Sequence, residues 1–279
     1  MPAPPTHPIR PPLSPTPRST PTRSKDRALT DRAALDAVLD AGLVCHLAVL
    51  LGGTPVVIPT VYGHDGRFLY LHGSTGAGNL RAALGSEISV AVTHVDGVVY
   101  ARSAMHFSMN FRSAVIRGRA VEITDPGERR AALRVIVEHV APGAWDRVRS
   151  PNRKEMAATL VLAVDLTEAS VKMRTGGPGD DPEDIATGGV WAGVLPLRQV
   201  FDPPVPSADL EPAVSVPDSV LARVTEQAGT PERRGASHQN VSYQKDKVSP
   251  RSVAARPAAS ASDSGESMPG GSRATRHSV

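Results

Sequence analysis

Apolar residues recur at helical spacing at Ala34, Leu35, Val38 and Leu39, between Thr30 as a candidate N-cap and Gly42 as a stop, which predicts a short amphipathic helix. The pattern then becomes continuous. The run LVCHLAVLL at 43–51 and the β-branched TPVVIPTVYG that starts at 54 flank Gly52-Gly53 and predict a β-hairpin. A third strand at 67–72 follows the turn His64-Asp65-Gly66, so a three-strand meander is the simplest arrangement. That strand runs into HGSTGAGN at 72–79, a loop with little side-chain bulk. Its successive peptide N–H groups can form an anion-binding concavity, and the helix start predicted at Asn79 to Leu84 adds its dipole. Such a loop is either the phosphate end of a nucleotide or flavin site or an ordinary strand-to-helix connection.

Further along, ISVAVT at 88–93 is a fourth strand, and FRSAVIRGRAVEIT at 111–124 is a long strand or bent pair with Gly118 as the expected bulge. The stretch between them has no clear period. Pro126 suits the first position of a helix whose apolar stripe is Ala132, Leu133, Ile136, Val137 and Val140, opposite Arg129, Arg130 and Glu138. Strands are predicted again at 159–166 and 169–173, and the segment 189–196 closes the pattern. Six or seven strands with few helices predict a mainly β fold, a small antiparallel barrel.

Composition limits where that barrel lies. Residues 1–23 are Pro, Thr, Ser and Arg with almost no aliphatic run, and from 203 onward Pro, Ala, Ser and charge take over, so both ends are expected to be disordered tails around a domain at 24–202. The net charge of +3 is unevenly spread. Three Arg without an acid give the first 23 residues +3, and eight basic against four acidic residues give 230–279 a charge of +4, which leaves −4 for the middle. A basic nucleic-acid groove on the folded part is therefore not expected. The single cysteine, Cys45, excludes an internal disulfide and any multi-cysteine metal site, in keeping with a reducing cytoplasm. No apolar stretch has the length of a membrane span, and no secretory h-region follows Arg10 or Arg18. A soluble, cytoplasmic protein is expected.

Four segments in order, IPTVY at 58–62, LYLHGS at 69–74, FRSAVIRGRAVE at 111–122 and VWAGVLPL at 190–197, resemble the pyridoxamine 5′-phosphate oxidase-like proteins, in particular their nitroimidazole-reductase-like branch. The resemblance spans about residues 25–200. It implies an antiparallel split β-barrel of the FMN-binding type that forms a homodimer with FMN in a groove at the subunit interface, or another flavin or deazaflavin in its place. By the same resemblance Pro59, Thr60, Val61 and Tyr62 would lie along the flavin ring through backbone groups. His72, Gly73 and Ser74 would sit near the ribityl phosphate, with Asn79 and Leu80 starting the helix beside it. Arg112 and Ser113 match a basic and a polar position on the long strand, and Trp191 matches a Trp that reaches the cofactor. Relatives often carry Lys or Arg near position 79, where this chain has Asn79 followed by Arg81. The family's Arg-x-His pair is also replaced, by Leu197-Arg198-Gln199, so oxidation of pyridoxamine phosphate itself is not implied.

The activity this implies is a flavin-dependent oxidoreductase passing electrons from a reduced nicotinamide to a small acceptor such as a nitroaromatic. The alternative is a non-catalytic flavin- or deazaflavin-binding carrier or sensor. Flavin chemistry resides in the ring, so no catalytic side chain is assigned. Adjacent strand residues face opposite sides, so Cys45 and His46 cannot act as a pair. His94 and His106 lack metal-ligand spacing, so no metal site is expected, and the run GDDPED at 179–184 reads as a solvated loop.

Overall fold

Residues 12–228 are described by the computed structural model of the chain, and they all belong to one compact unit. In order, the elements are β1 (Ala28–Leu29), α1 (Arg32–Ala41), β2 (Val44–Leu51), β3 (Thr54–Val61), β4 (Gly63–His64), β5 (Phe68–Ser74), α2 (Gly78–Ala83), β6 (Glu87–Tyr100), β7 (Ser108–Arg119) and β8 (Val121–Glu122). There follow α3 (Pro126–Val140), α4 (Arg153–Ala158), β9 (Thr159–Asp165), β10 (Ala169–Arg174), α5 (Pro182–Thr187), β11 (Gly193–Pro196) and α6 (Asp218–Ala228). One sheet runs β1-β10-β7-β6-β2-β3 with β11 added to β6, and a second runs β4-β5-β9-β8. All strand pairings between these elements are antiparallel, and the core of Leu35, Leu39, Leu47, Leu69, Leu71, Ile116, Leu162 and Leu166 lies between them. This is the predicted mainly β split barrel with a few helices.

The β2–β3 hairpin forms as expected because Gly52 and Gly53 take φ of +59° and +81°, the pair of positive values that a two-residue turn matched to strand twist demands. The expected meander does not continue. Tyr62 turns fully inward and donates from Oη to Leu39 O at 2.6 Å, and Gly63 passes directly beneath α3. The chain thereby crosses to the second sheet, where β5 pairs with β9 from Phe68↔Asp165 to Ser74↔Thr159. A methyl at position 63 would lie 2.7 Å from Ile136 Cα and 2.8 Å from Val135 O, both backbone atoms that cannot step aside. Gly63→Ala is therefore expected to destabilise the fold by about 1–3 kcal/mol, read as a lower urea midpoint at unchanged m-value.

The unassigned stretch after Thr93 is the second half of β6, which continues to Tyr100 past a bulge. Val95 pairs with Phe111 but Gly97 pairs with Asn110, leaving Asp96 as the extra residue. The bulge falls there rather than at Gly118, which stays in register with Ile88. Its signature is a change of parity: Ile88, Val90 and Val92 are buried before it, Val99 and Ala101 after it. The cap of α1 also differs from expectation. Asp31, one residue later than expected, is the N-cap and accepts from Ala33 N at 2.9 Å, while the Thr30 carbonyl accepts from Leu13 N. Gly42 ends that helix as predicted, but for space, since a methyl would meet Tyr62 Oη at 2.5 Å.

Part of each expected tail is placed on the barrel. Leu13 is buried, Ser14 N donates to Ala169 O at 2.8 Å, and Arg18 reaches Glu168 at 2.6 Å and Glu87 at 3.1 Å. Hydrogen bonds from Arg18 and Thr16 hold the Glu168 carboxyl at about 2. One buried leucine, edge hydrogen bonds and an ion pair thus offset the polar composition of 12–23; positions 1–11 of that tail lie outside the described residues. At the other end, α6 lies inside the expected tail, and Arg223 stacks 4.1 Å from the Phe201 ring and donates to Val140 O. Positions 229–279 lie outside the described residues.

Candidate functional site

The Gly-rich segment joins β5 to α2 against the end of β9. His72, Gly73 and Ser74 pair with Val161, Leu160 and Thr159. Leu80 is buried and packs so closely on the strand that a methyl at Gly73 would lie 2.6 Å from its Cδ1. Ser74 Oγ accepts from Gly76 N at 3.2 Å, which fixes the turn, while a methyl at Gly78 would meet nothing. Asn79 is half-buried and Arg81 exposed. His72 is half-buried, its Nδ1 is enclosed without a hydrogen-bond partner, and burial pushes its pKa below the ordinary imidazole value. An imidazole with an unengaged ring nitrogen therefore stands beside a turn whose Thr75, Gly76 and Ala77 amides are bonded within the chain, followed by the first turn of α2.

Strand alternation separates the other expected residues. Cys45 pairs with Thr60 and is fully buried, whereas His46 pairs with Pro59 and is exposed, so the two neighbours face opposite sides as expected. Pro59, Val61 and Ser113 share the outward face of the larger sheet with Val44, Leu50 and Val57, of which Leu50 and Val57 are 63% and 61% exposed. Thr60, Tyr62 and Arg112 face inward. Arg112 makes a forked ion pair with the bulged Asp96, Nη2–Oδ1 2.9 Å and Nε–Oδ2 3.0 Å. The pair lines a cavity of about 650 Å³ whose walls include Asp40, His94, Phe201 and Arg223. Trp191 is 66% exposed and meets Tyr100 edge-on at 5.4 Å. The chain thus brings His72, Gly73, Ser74, Asn79 and Leu80 together at one place, Pro59, Val61 and Ser113 on one face, and Arg112 and Trp191 elsewhere.

Burial raises the Cys45 thiol to about 12. It is expected to be inert to a thiol reagent at neutral pH in the native protein and to react once the protein is unfolded, which a colorimetric thiol assay with and without denaturant checks. The acidic run at 179–184 is not simply a solvated loop. The Asp180 side chain is 1% exposed and accepts from Arg102 N at 2.9 Å and Arg102 Nη1 at 2.6 Å. Next to it His106 meets Asp181 and Asp184, a grouping that spacing along the sequence does not show.

The family model described as pyridoxamine 5′-phosphate oxidase matches residues 31–173, about half of the chain. The chain belongs to the pyridoxamine 5′-phosphate oxidase family. Two solved structures above 30% identity agree. The flavocytochrome Anf3 from Azotobacter vinelandii is 38% identical, with 76% of this chain and 99% of that one covered and a TM-score of 0.72. An FAD and haem binding protein from Mycobacterium smegmatis is 37% identical, with 71% and 97% covered and a TM-score of 0.68. A protein named for 5-nitroimidazole antibiotic resistance, from Bacteroides thetaiotaomicron, is 21% identical over 52% of this chain and 85% of that one, with a TM-score of 0.45. No curated protein matches. Among the described residues no helix is long and apolar enough to cross a membrane.

Proposed function

We propose that this member of the pyridoxamine 5′-phosphate oxidase family is a dimeric redox protein that binds a flavin, of the FAD kind, together with haem. The observation that carries this reading is His72, a neutral, half-buried imidazole with an unengaged nitrogen beside the Gly-rich loop, in a chain 37–38% identical to two proteins named for flavin and haem.

The residues present fit both groups. The N–H groups of Thr75, Gly76 and Ala77 are bonded within the chain, so the donors left for a phosphate are those of the first turn of α2, at Gly78 to Leu80, reached over a loop of little bulk. Asn79 in place of a basic residue favours a pyrophosphate over the terminal phosphate of FMN. A terminal phosphate carries roughly −1.5 to −2, and without a cation it forgoes a charge-assisted bond worth about 1.5–3 kcal/mol. A diester pyrophosphate asks less of the loop. The outward sheet face around Pro59 and Val61 supplies an apolar floor for an aromatic ring, and its exposed Val57 and Leu50 supply the surface for a second copy. His72 Nδ1 is enclosed, so Nε2 is the ring nitrogen that this side chain offers to iron, and burial, which disfavours protonation, keeps its lone pair available.

Bound flavin supplies hydride chemistry and bound haem one-electron chemistry. The side chains position, exclude water and set polarity. A reduced nicotinamide is the proposed donor and a small molecule such as a nitroaromatic the acceptor. The test is anaerobic reduction followed by an acceptor. Bleaching of the flavin band by NADH or NADPH within seconds to minutes, and its return on adding a nitroaromatic, supports turnover. A flavin that neither nicotinamide reduces supports a carrier or sensor instead.

A further inference from the structure

Away from the Gly-rich loop, donor side chains from two distant segments converge. His106 ends a turn of 3-10 helix, Ala104–His106, that connects β6 to β7; Asp181 is the N-cap of α5 and Asp184 lies in its first turn. One ligating atom from each of the three lies within 4.8 Å of the others. His106 Nε2 is 3.9 Å from Asp181 Oδ2, too far for a hydrogen bond. Donor atoms bound at about 2.0–2.2 Å in a tetrahedral shell stand about 3.3–3.6 Å from one another, so the cluster would have to close by up to about 1.5 Å to become a coordination shell.

A second observation comes from the other side of the ring. His106 Nδ1 is enclosed and has no hydrogen-bond partner, and the nearest carboxylate oxygen to it is Asp180 Oδ1 at 3.8 Å. Asp180 is itself almost fully buried and anchored by two hydrogen bonds from Arg102. A buried, anchored carboxylate behind Nδ1 with two more carboxylates in front of Nε2 is the layout of a carboxylate–histidine–metal relay. Once the 3.8 Å gap closes, Nδ1–H would donate a hydrogen bond to the outer carboxylate, which fixes the tautomer and leaves the Nε2 lone pair for the ion.

We propose that His106 Nε2, Asp181 and Asp184 bind a first-row divalent cation, zinc being the type case, with Asp180 as the outer carboxylate that orients the imidazole. One nitrogen and two carboxylates suit zinc or manganese better than calcium or magnesium, which prefer all-oxygen shells. The ion would tie the β6–β7 connection to the segment that leads from α5 to Trp191. It would thus hold that segment in place whether or not a flavin is bound, and the site does not rest on the flavin reading.

The test uses the full-length protein, stripped with a chelator and dialysed against Zn2+, with bound metal read by elemental analysis and stability by a circular-dichroism melt. The expected result is one saturable Zn2+ per chain and a higher melting temperature with the metal than without it. His106→Gln and Asp184→Asn, on separate segments, are each expected to weaken binding at least about tenfold and to remove the metal-dependent rise while melting like the metal-free wild type. Absence of saturable Zn2+ binding, or equal binding by the wild type and both variants, overturns the assignment.

Discussion

His72→Ala is expected to release haem from the protein while flavin stays bound. The side chain lies at the end of β5, half-buried, with its Nδ1 committed to nothing in the chain. Removing it deletes no buried hydrogen bond at that atom, so the fold is expected to lose no more than about 1–2 kcal/mol. The ligand itself cannot be replaced by water without loss: even an outer partner of a metal ligand changes affinity by about 10–100-fold, and the ligand's own loss is expected to exceed the lower figure. The Soret band, compared between wild type and variant after equal exposure to haem and desalting, is the readout, with the flavin band as internal standard. The acid side gives a second check. Burial depresses the His72 pKa below its ordinary 6.5, so the unfolded chain binds the extra proton first. Its contribution to stability is complete above that value and falls as pH drops below it. His72→Ala is expected to flatten that acid limb, and an unchanged limb would show that the imidazole is not where the proton goes.

Val57→Lys is expected to leave a folded monomer that retains little flavin. Val57 stands on the outward face of β3, an edge strand, with Val44 and Leu50 on neighbouring outward positions of β2. Such an exposed apolar strand face is an invitation to pairing or coverage, and a second copy of the chain is the proposed cover. A lysine buried there without a partner would cost about 3–5 kcal/mol, two to three decades or more in the dimer dissociation constant. In the isolated hairpin the same position is open to water, so folding should change by less than about 1 kcal/mol. Sedimentation at matched concentrations distinguishes the cases. Wild-type protein that is monomeric at micromolar concentration, or a variant that remains dimeric, would remove the apolar face from the account.

Much of this architecture is legible in the sequence because the deciding residues are local. Gly52-Gly53 announces a hairpin, and Pro126 announces α3, at whose start Asp125 Oδ1 accepts from Glu128 N at 2.9 Å. The strand at 159–165 carries a near-continuous apolar run, and that at 169–174 alternates apolar Ala169, Val171 and Met173 with polar residues. What was not legible depends on partners far along the chain. A strand's pattern says that it is a strand and not which neighbour it takes, so the transfer of β5 to β9 through Gly63 is invisible until α3 is in place. The second half of β6 was hidden because the bulge at Asp96 inverts the alternation that identifies a strand.

The candidate site divides the same way. The loop at His72–Leu80 could be read directly, since strand, glycines and helix are contiguous. The neighbours Arg112 and Ser113 were assigned to one cofactor by resemblance, but alternation sends them to opposite faces, and Arg112 is engaged by Asp96. His106 with Asp181 and Asp184 was missed because a search for histidines at fixed spacing cannot see a carboxylate delivered by another segment.

The central claim, that this chain binds both a flavin and haem, is tested most directly by the ultraviolet-visible spectrum of the purified full-length protein. It should be recorded after incubation with FAD and haem and removal of unbound cofactor, with chromatography of the flavin that denaturation releases. The account predicts a flavin band and a Soret band at near-equal stoichiometry, FAD in the released fraction, and loss of the Soret band alone in His72→Ala. A protein that emerges colourless from FAD, FMN and haem alike would contradict it.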